Sequence, residues 1–93
     1  IIVISNDGGG IFSTLLQRDV PGFEKIFGTP HGRDQVSIAE SYGIPAVAVR
    51  TLDALRAQLS RRTQGLKVIV AQMPDRKENA ALLQKITDSL TLL

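Results

Sequence analysis

The chain has 93 residues, with 11 Lys and Arg against 9 Asp and Glu, and a net charge of +2 at pH 7. This small surplus predicts no nucleic-acid-binding surface, and the 43% hydrophobic content excludes an intrinsically disordered chain. With no Cys and one His, disulfide scaffolds, thiolate metal sites and His-rich metal sites are excluded as well. Because no apolar run approaches about 18 residues, we expect no membrane span and a cytoplasmic location.

The first predicted strand is Ile1–Ser5, whose first four residues are all apolar. Strands that are apolar on both faces are typical of buried positions in parallel sheets. Since a protein rarely begins inside its own core, we expect residues 1–93 to be the C-terminal part of one larger domain, incomplete at its N-terminal side.

The segment that follows is rich in turn residues. A glycine-rich turn over residues 6–10 ends the strand, and Ile11–Gln17 is predicted to form a short helix that Pro21-Gly22 closes. Phe23–Phe27 adds one more helical turn in this interpretation. The loop 28–32 is predicted to be ordered, because a proline between two glycines restricts the backbone.

The middle of the chain repeats a helix–strand–helix pattern. A helix is predicted from Asp34 to Tyr42, with Asp34 as its N-cap and Gly43 just after its end, followed by a strand over Ala46–Val49. Thr51 is the predicted N-cap of the next helix, which we expect to end at Gly65. The residues of that helix expected to face the core are Leu52, Leu55 and Leu59.

The last third predicts one strand and one helix. The strand is Lys67–Met73, and Asp75–Glu78 resembles a capping box that starts the final helix. The residues of that helix expected to line the core are Leu83, Ile86 and Leu90. The order β-α-β-α-β-α predicts an α/β fold with a parallel sheet, right-handed crossovers and helices on both faces.

The turn Asn6–Gly10 is the candidate ligand site, because ligands of open α/β sheets bind beyond the carboxyl ends of the strands. Asn6 and Asp7 offer hard oxygen ligands that suit Mg²⁺, and the three glycines let the backbone approach a ligand closely. The sequence matches neither the dinucleotide fingerprint nor the phosphate-binding P-loop. An ordinary turn without a ligand remains an equally good interpretation of these residues alone.

Residues 4–13, Ile-Ser-Asn-Asp-Gly-Gly-Gly-Ile-Phe-Ser, together with residues 27–32, Phe-Gly-Thr-Pro-His-Gly, resemble the C-terminal part of one thiamine-diphosphate enzyme family. That family is 2-succinyl-5-enolpyruvyl-6-hydroxy-3-cyclohexene-1-carboxylate synthase, or MenD. The resemblance implies thiamine diphosphate and Mg²⁺ (or Mn²⁺) as cofactors. It implies that the Asn6 side chain and the Gly8 carbonyl bind the metal and help to hold the cofactor. It also implies that an apolar wall beside the thiazolium ring is formed by Ile11, Phe12 and Leu15.

The resemblance further implies an activity for the intact enzyme. Such enzymes decarboxylate 2-oxoglutarate and add the succinyl carbanion equivalent to isochorismate in menaquinone or phylloquinone biosynthesis. The Gly-Asp half of the metal motif is expected upstream of Ile1, in the rest of the polypeptide, and the activating Glu in a neighbouring subunit of a homodimer or homotetramer. We therefore expect the isolated chain to be inactive and to contain no catalytic residue.

Two alternative functions stay open at this point, and the role of one further residue has to be assigned. The chain could belong to another thiamine-diphosphate enzyme, an acetohydroxyacid synthase or a 2-oxo acid decarboxylase. It could also be a small non-catalytic α/β module that binds phosphate. His31, the single imidazole, is predicted to order its loop rather than to act as a base. Position 10 is Gly where some family members carry Gln, so any side-chain contact from that position is lost.

Overall fold

The computed structural model describes residues 1–91, which form two compact units. The first unit contains residues 1–5 and 33–73, and the second contains residues 6–32 and 74–91. The first unit holds the sheet, and the second holds the glycine-rich turn that the sequence marks as a candidate site.

Three parallel strands form the sheet of the first unit: β1 (Ile2–Ser5), β2 (Ala46–Val49) and β3 (Val68–Gln72). Their order is β1-β3-β2, with both neighbours parallel to β3. This confirms the predicted α/β class and parallel sheet. The central strand is β3, and its residues from Val68 to Ala71 are buried because strands flank it on both sides.

Two helices cover opposite faces of this sheet. Side chains alternate along a strand, so Val68 and Val70 share one face and Ile69 and Ala71 the other. The first face packs with Ala39 of helix α1 (Gln35–Ser41). The second face packs with residues of helix α2 (Leu52–Ser60), as the sequence pattern predicts for a parallel sheet.

Local capping explains where α1 begins and ends. The Asp34 carboxylate accepts hydrogen bonds from the backbone N–H groups of Val36 and Ser37, which confirms it as the N-cap. At the other end Gly43 has a φ of 72°, and its N–H donates to the Glu40 carbonyl. A residue in this left-handed conformation ends a helix, and glycine adopts it without strain.

Helix α2 differs from its prediction in two respects. Thr51 does cap it, accepting from the Ala54 N–H at 3.1 Å, but the helix ends at Ser60 instead of Gly65. Of its three predicted core leucines only Leu55 packs in the core, while Leu52 and Leu59 are more than half exposed. The prediction for those two is wrong, because nothing in the described part of the chain covers that side of the helix.

The exposure of β1 also differs from the prediction of a buried strand. Ile2 and Ile4 are 46% and 66% exposed, whereas Val3 packs against the core. By register Ile2 and Ile4 lie on the face of Ile69 and Ala71. On that face α2 contacts β2 and β3, so within residues 1–91 the two β1 isoleucines are only partly covered.

In the second unit, the predicted helix Ile11–Gln17 is wrong. Two 3₁₀ turns, Ile11–Thr14 and Leu16–Asp19, replace it, and Leu15 between them is extended with a ψ of 164°. The Thr14 hydroxyl donates to the Ile11 carbonyl at 2.7 Å, a local bond that competes with helix formation. The turn predicted at Phe23–Phe27 is present, as a π-helical turn over Glu24–Gly28.

The last helix, α3, spans Arg76–Thr91 and starts as predicted, since the Asp75 carboxylate accepts from the Glu78 N–H at 2.9 Å. Its predicted core residues are wrong: Leu83, Ile86 and Leu90 are 44%, 47% and 63% exposed, and Ala80 is the buried residue of the helix. The 3.6-residue periodicity identifies an apolar stripe, but no described element covers it. Among the described residues, no helix is both long enough and apolar enough to cross a membrane.

Candidate functional site

The glycine-rich turn is held by hydrogen bonds to the loop that carries residues 28–32. The Gly9 N–H donates to the Gly28 carbonyl at 2.8 Å, and the Asp7 carboxylate accepts from the Gly32 N–H at 2.8 Å. The two motifs of the sequence resemblance therefore contact each other within the second unit, and the contacting residues Asp7 and Gly32 are 25 positions apart along the chain.

Glycine is required at position 8 for two independent reasons. Its φ is 133°, outside the small left-handed region open to other residues. A Cβ built there would lie 2.7 Å from the Thr29 carbonyl oxygen and closer still to that of Gly28. The backbone of residue 8 therefore packs directly on a neighbouring backbone, and a side chain at this position would displace one or the other.

The Asn6 side chain lies over Gly10. A Cβ built on Gly10 would be 2.7 Å from Asn6 Nδ2, so the absence of a side chain at position 10 makes room for the amide. Asn6 is half-buried, and its backbone carbonyl is itself engaged as an acceptor at 3.4 Å. The main chain of Asn6 is thus held by a hydrogen bond, and its amide occupies the space that Gly10 leaves open.

Asp7 faces the loop, which argues against a role as a metal ligand. Its φ is 59°, and its Oδ1 is 3.5 Å from Nδ1 of His31 in addition to accepting from Gly32. The backbone hydrogen bond from Gly32 is the main cause that lowers the pKa of this carboxyl, and the charge of His31 acts in the same direction. This geometry supports the prediction that His31 orders its loop.

The predicted apolar wall is exposed within this unit. Ile11, Phe12 and Leu15 are 74%, 40% and 42% exposed. The ring of Phe12 packs on that of Phe27, with centroids 5.4 Å apart. Exposed apolar side chains at these positions are available to a ligand, whereas their arrangement as one wall stays a prediction.

An ion pair that sequence reasoning missed supports the turn. Arg76, which follows the Asp75 cap, donates through Nη1 to the carbonyls of Asn6 and Asp7 and through Nη2 to the carboxylate of Glu24. The sequence interpretation assigned residues 75–78 only a capping role. An arginine at the first position of a helix can fold back onto a turn or extend into water. The local sequence does not distinguish these two orientations.

A cavity of about 490 Å³ lies elsewhere in the second unit. Its lining includes Ser13, Phe23 and Ala80, and none of the predicted site residues contributes to it. The Ser13 hydroxyl is buried and makes no hydrogen bond to the described residues. This concave space therefore lies apart from the residues of the glycine-rich turn.

The turn fits part of a Mg²⁺ site. Mg²⁺ prefers oxygen ligands in octahedral geometry, and the Asn6 amide oxygen and the Gly8 carbonyl are of that kind. Among residues 1–91 there is no group of three or more His, Cys, Asp or Glu side chains that could hold a metal. These two neutral donors would not fill an octahedral site by themselves, so a cation held here would need further ligands.

Fold and site together define a parallel α/β chain with a glycine-rich turn that carries neutral oxygen donors. No family model matches the sequence. Relatives named 2-succinyl-5-enolpyruvyl-6-hydroxy-3-cyclohexene-1-carboxylate synthase do match it. The one from Thermobifida fusca is 37% identical over 97% of this chain and 16% of its own length. The corresponding protein of Bacillus cytotoxicus is 38% identical over 92% of this chain and 15% of its own length. That of Rhodococcus erythropolis is 43% identical over 74% of this chain and 13% of its own length.

This chain belongs to the MenD family, as the sequence resemblance predicted. It spans between 13% and 16% of the length of these three relatives. The similarity thus covers a short segment of each of these relatives.

Proposed function

We propose that this chain supplies half of a Mg²⁺ site and one side of the cofactor pocket of a thiamine-diphosphate-dependent synthase. The enzyme would decarboxylate 2-oxoglutarate and add the four-carbon unit to isochorismate, forming one carbon–carbon bond with loss of CO₂. The observation that carries the proposal is the similarity to synthases of that name over 92–97% of the chain. The contacts of the glycine-rich turn support it.

Each residue of the site has a proposed role. Asn6 and Gly8 would hold Mg²⁺ (or Mn²⁺) through neutral oxygens, and the ion would orient the diphosphate of the cofactor. Ile11, Phe12 and Leu15 would exclude water from the cofactor's reactive end, where low polarity favours species without separated charges. Thiamine diphosphate, when bound, supplies the carbon that accepts the electron pair left by decarboxylation.

The 93 residues contain only part of the proposed site. The other protein ligand of the metal, the activating Glu and the groups that bind the substrate carboxylates would come from the rest of the polypeptide and from a second subunit of a homodimer or homotetramer. The isolated chain is therefore proposed to be inactive. The expected cytoplasmic location stays a prediction.

The test is a substrate comparison on the full-length protein with thiamine diphosphate and Mg²⁺. We expect CO₂ release from 2-oxoglutarate together with consumption of isochorismate, lost with a chelator and restored by Mg²⁺ or Mn²⁺. CO₂ release from pyruvate in place of 2-oxoglutarate would favour an acetohydroxyacid synthase or a 2-oxo acid decarboxylase. Absence of thiamine diphosphate binding would contradict the proposal and favour a non-catalytic phosphate-binding module.

A further inference from the structure

Arg76 is an unusually buried charge. Its side chain is 10% exposed, and its Nε is buried without a hydrogen-bond partner among the described residues. Arginine is rarely buried unless it is paired, because removing a charge from water is costly. Such a position indicates that surrounding groups hold the guanidinium in place for a structural or functional reason.

The partners of Arg76 place it at the centre of the second unit. Nη1 donates to the Asp7 carbonyl at 2.7 Å and to the Asn6 carbonyl at 3.4 Å, while Nη2 binds the Glu24 carboxylate. One planar group therefore connects the first turn of α3, the glycine-rich turn and the π-helical turn. The fixed fork of donors on arginine is suited to such bridging, whereas lysine offers a single charged point.

The glycine at position 28 leaves room for this arrangement. A Cβ on Gly28 would lie 2.7 Å from the Glu24 carboxylate and 3.0 Å from Nη2 of Arg76, closer than side-chain packing allows. Gly28 also accepts the hydrogen bond from Gly9. The space for the guanidinium and the anchoring of the turn thus depend on the same backbone.

We propose that Arg76 is a positioning residue for the metal-binding turn, an inference that rests on the proposed function. By fixing the carbonyls of residues 6 and 7, it orients the Asn6 side chain and the Gly8 carbonyl, while Glu24 balances its charge. Groups that orient metal ligands in this way affect metal affinity without touching the metal.

The experiment is a Mn²⁺ titration of the full-length protein in the presence of thiamine diphosphate, followed by electron paramagnetic resonance. Arg76→Gln is expected to weaken Mn²⁺ binding by roughly tenfold, the lower end of what such outer groups contribute. The matched control is Lys77→Gln, the exposed neighbour in the same helical turn, which should leave binding unchanged. Activity of Arg76→Gln should recover at saturating metal and cofactor, because no group that touches substrate is altered.

The melting temperature of the metal-free protein separates positioning from general stability. Weaker Mn²⁺ binding in a folded Arg76→Gln protein supports the inference, and unchanged binding overturns it. Should Arg76→Gln fail to fold, Arg76→Lys keeps the charge and most of the volume. Weaker Mn²⁺ binding in that variant supports the inference, and unchanged Mn²⁺ binding overturns it. An Asn6→Ala protein is titrated in parallel: unchanged binding there refutes the proposed metal site, whereas loss there with none in the Arg76 variants refutes only the role of Arg76.

Discussion

Replacing Gly8 with Ala tests whether the glycine-rich turn has the backbone packing described above. Two costs apply at this position. A non-glycine residue held in an unfavourable φ/ψ region costs about 1–3 kcal/mol, and forcing a methyl group into packed atoms costs about 1–3 kcal/mol more. Since a Cβ would lie 2.7 Å from the Thr29 carbonyl oxygen and closer to that of Gly28, both costs apply and Gly8→Ala should lose about 2–6 kcal/mol.

The matched control is Gly32→Ala in the same unit. Gly32 also has a positive φ, 58°, but a Cβ there would meet nothing within 4 Å. Its substitution should cost only the left-handed conformation, about 1–2 kcal/mol. The difference between the two variants reports the close approach of Gly8 to residues 28 and 29 together with the less accessible φ of Gly8, 133° against 58°.

Urea unfolding of the full-length protein measures both variants, with the free-energy change taken from the shift in midpoint at constant slope. We expect Gly8→Ala to have the lower midpoint by a clear margin. Equal midpoints for the two variants, or greater stability of Gly8→Ala, would show that residue 8 does not pack on the loop as described.

Three further predictions concern charge, capping and the core. Because folding lowers the pKa of Asp7, this carboxylate stabilises the folded chain fully above its ordinary pKa of 3.8, and the stabilisation is lost as pH falls through the lower pKa of the folded state. The difference in unfolding free energy between wild type and Asp7→Asn should therefore shrink in acid. A difference that grows in acid would contradict the assigned contacts of Asp7. Asp34→Ala should destabilise α1 by about 1 kcal/mol, measured by urea unfolding, because two N–H groups lose their acceptor. Val70→Ala should cost about 2 kcal/mol or more, since Val70 is fully buried, whereas Val20→Ala at a position 54% exposed should cost far less; equal losses would contradict the assigned core.

Elements specified by local sequence were predicted well. The N-caps Asp34 and Thr51 accept the expected N–H groups, and the β-branched run at residues 68–70 forms the buried central strand. A cap depends on a few neighbouring residues, because it needs only one side-chain oxygen. An apolar run predicts that a strand forms. Whether the strand is buried depends on its place in the sheet, since β3 is central and buried whereas the equally apolar β1 is at the edge and partly exposed.

Features that depend on what lies opposite were predicted poorly. The periodicity of α3 is correct, yet Leu83, Ile86 and Leu90 are exposed. A helical pattern identifies which side chains share a face but not whether another element covers it. The prediction for the segment after the glycine-rich turn failed for a different reason: the Thr14 hydroxyl offers the backbone a local hydrogen bond, which favours a short turn over a continuous helix.

The candidate site contains features that the sequence predicts and one feature that it does not. The glycines and Asn6 are visible in the sequence as an unusual turn, and the family resemblance assigns them roles. The part played by Arg76 is not visible, because 69 residues separate it from Asp7 and only the folded chain brings the two together. Long-range contacts of this kind carry no local sequence signal.

The most direct test of the central claim is calorimetric titration of thiamine diphosphate into the full-length protein at increasing Mg²⁺ concentrations. Asn6→Ala should raise the Mg²⁺ concentration needed for half-maximal cofactor binding by at least about tenfold, because a ligand of the ion is removed and even outer groups contribute that much. Asn79→Ala, which changes the same residue type at an exposed position of α3, serves as the control and should leave it unchanged. An unaltered Mg²⁺ requirement in a folded Asn6→Ala protein would contradict the claim that this turn binds the metal.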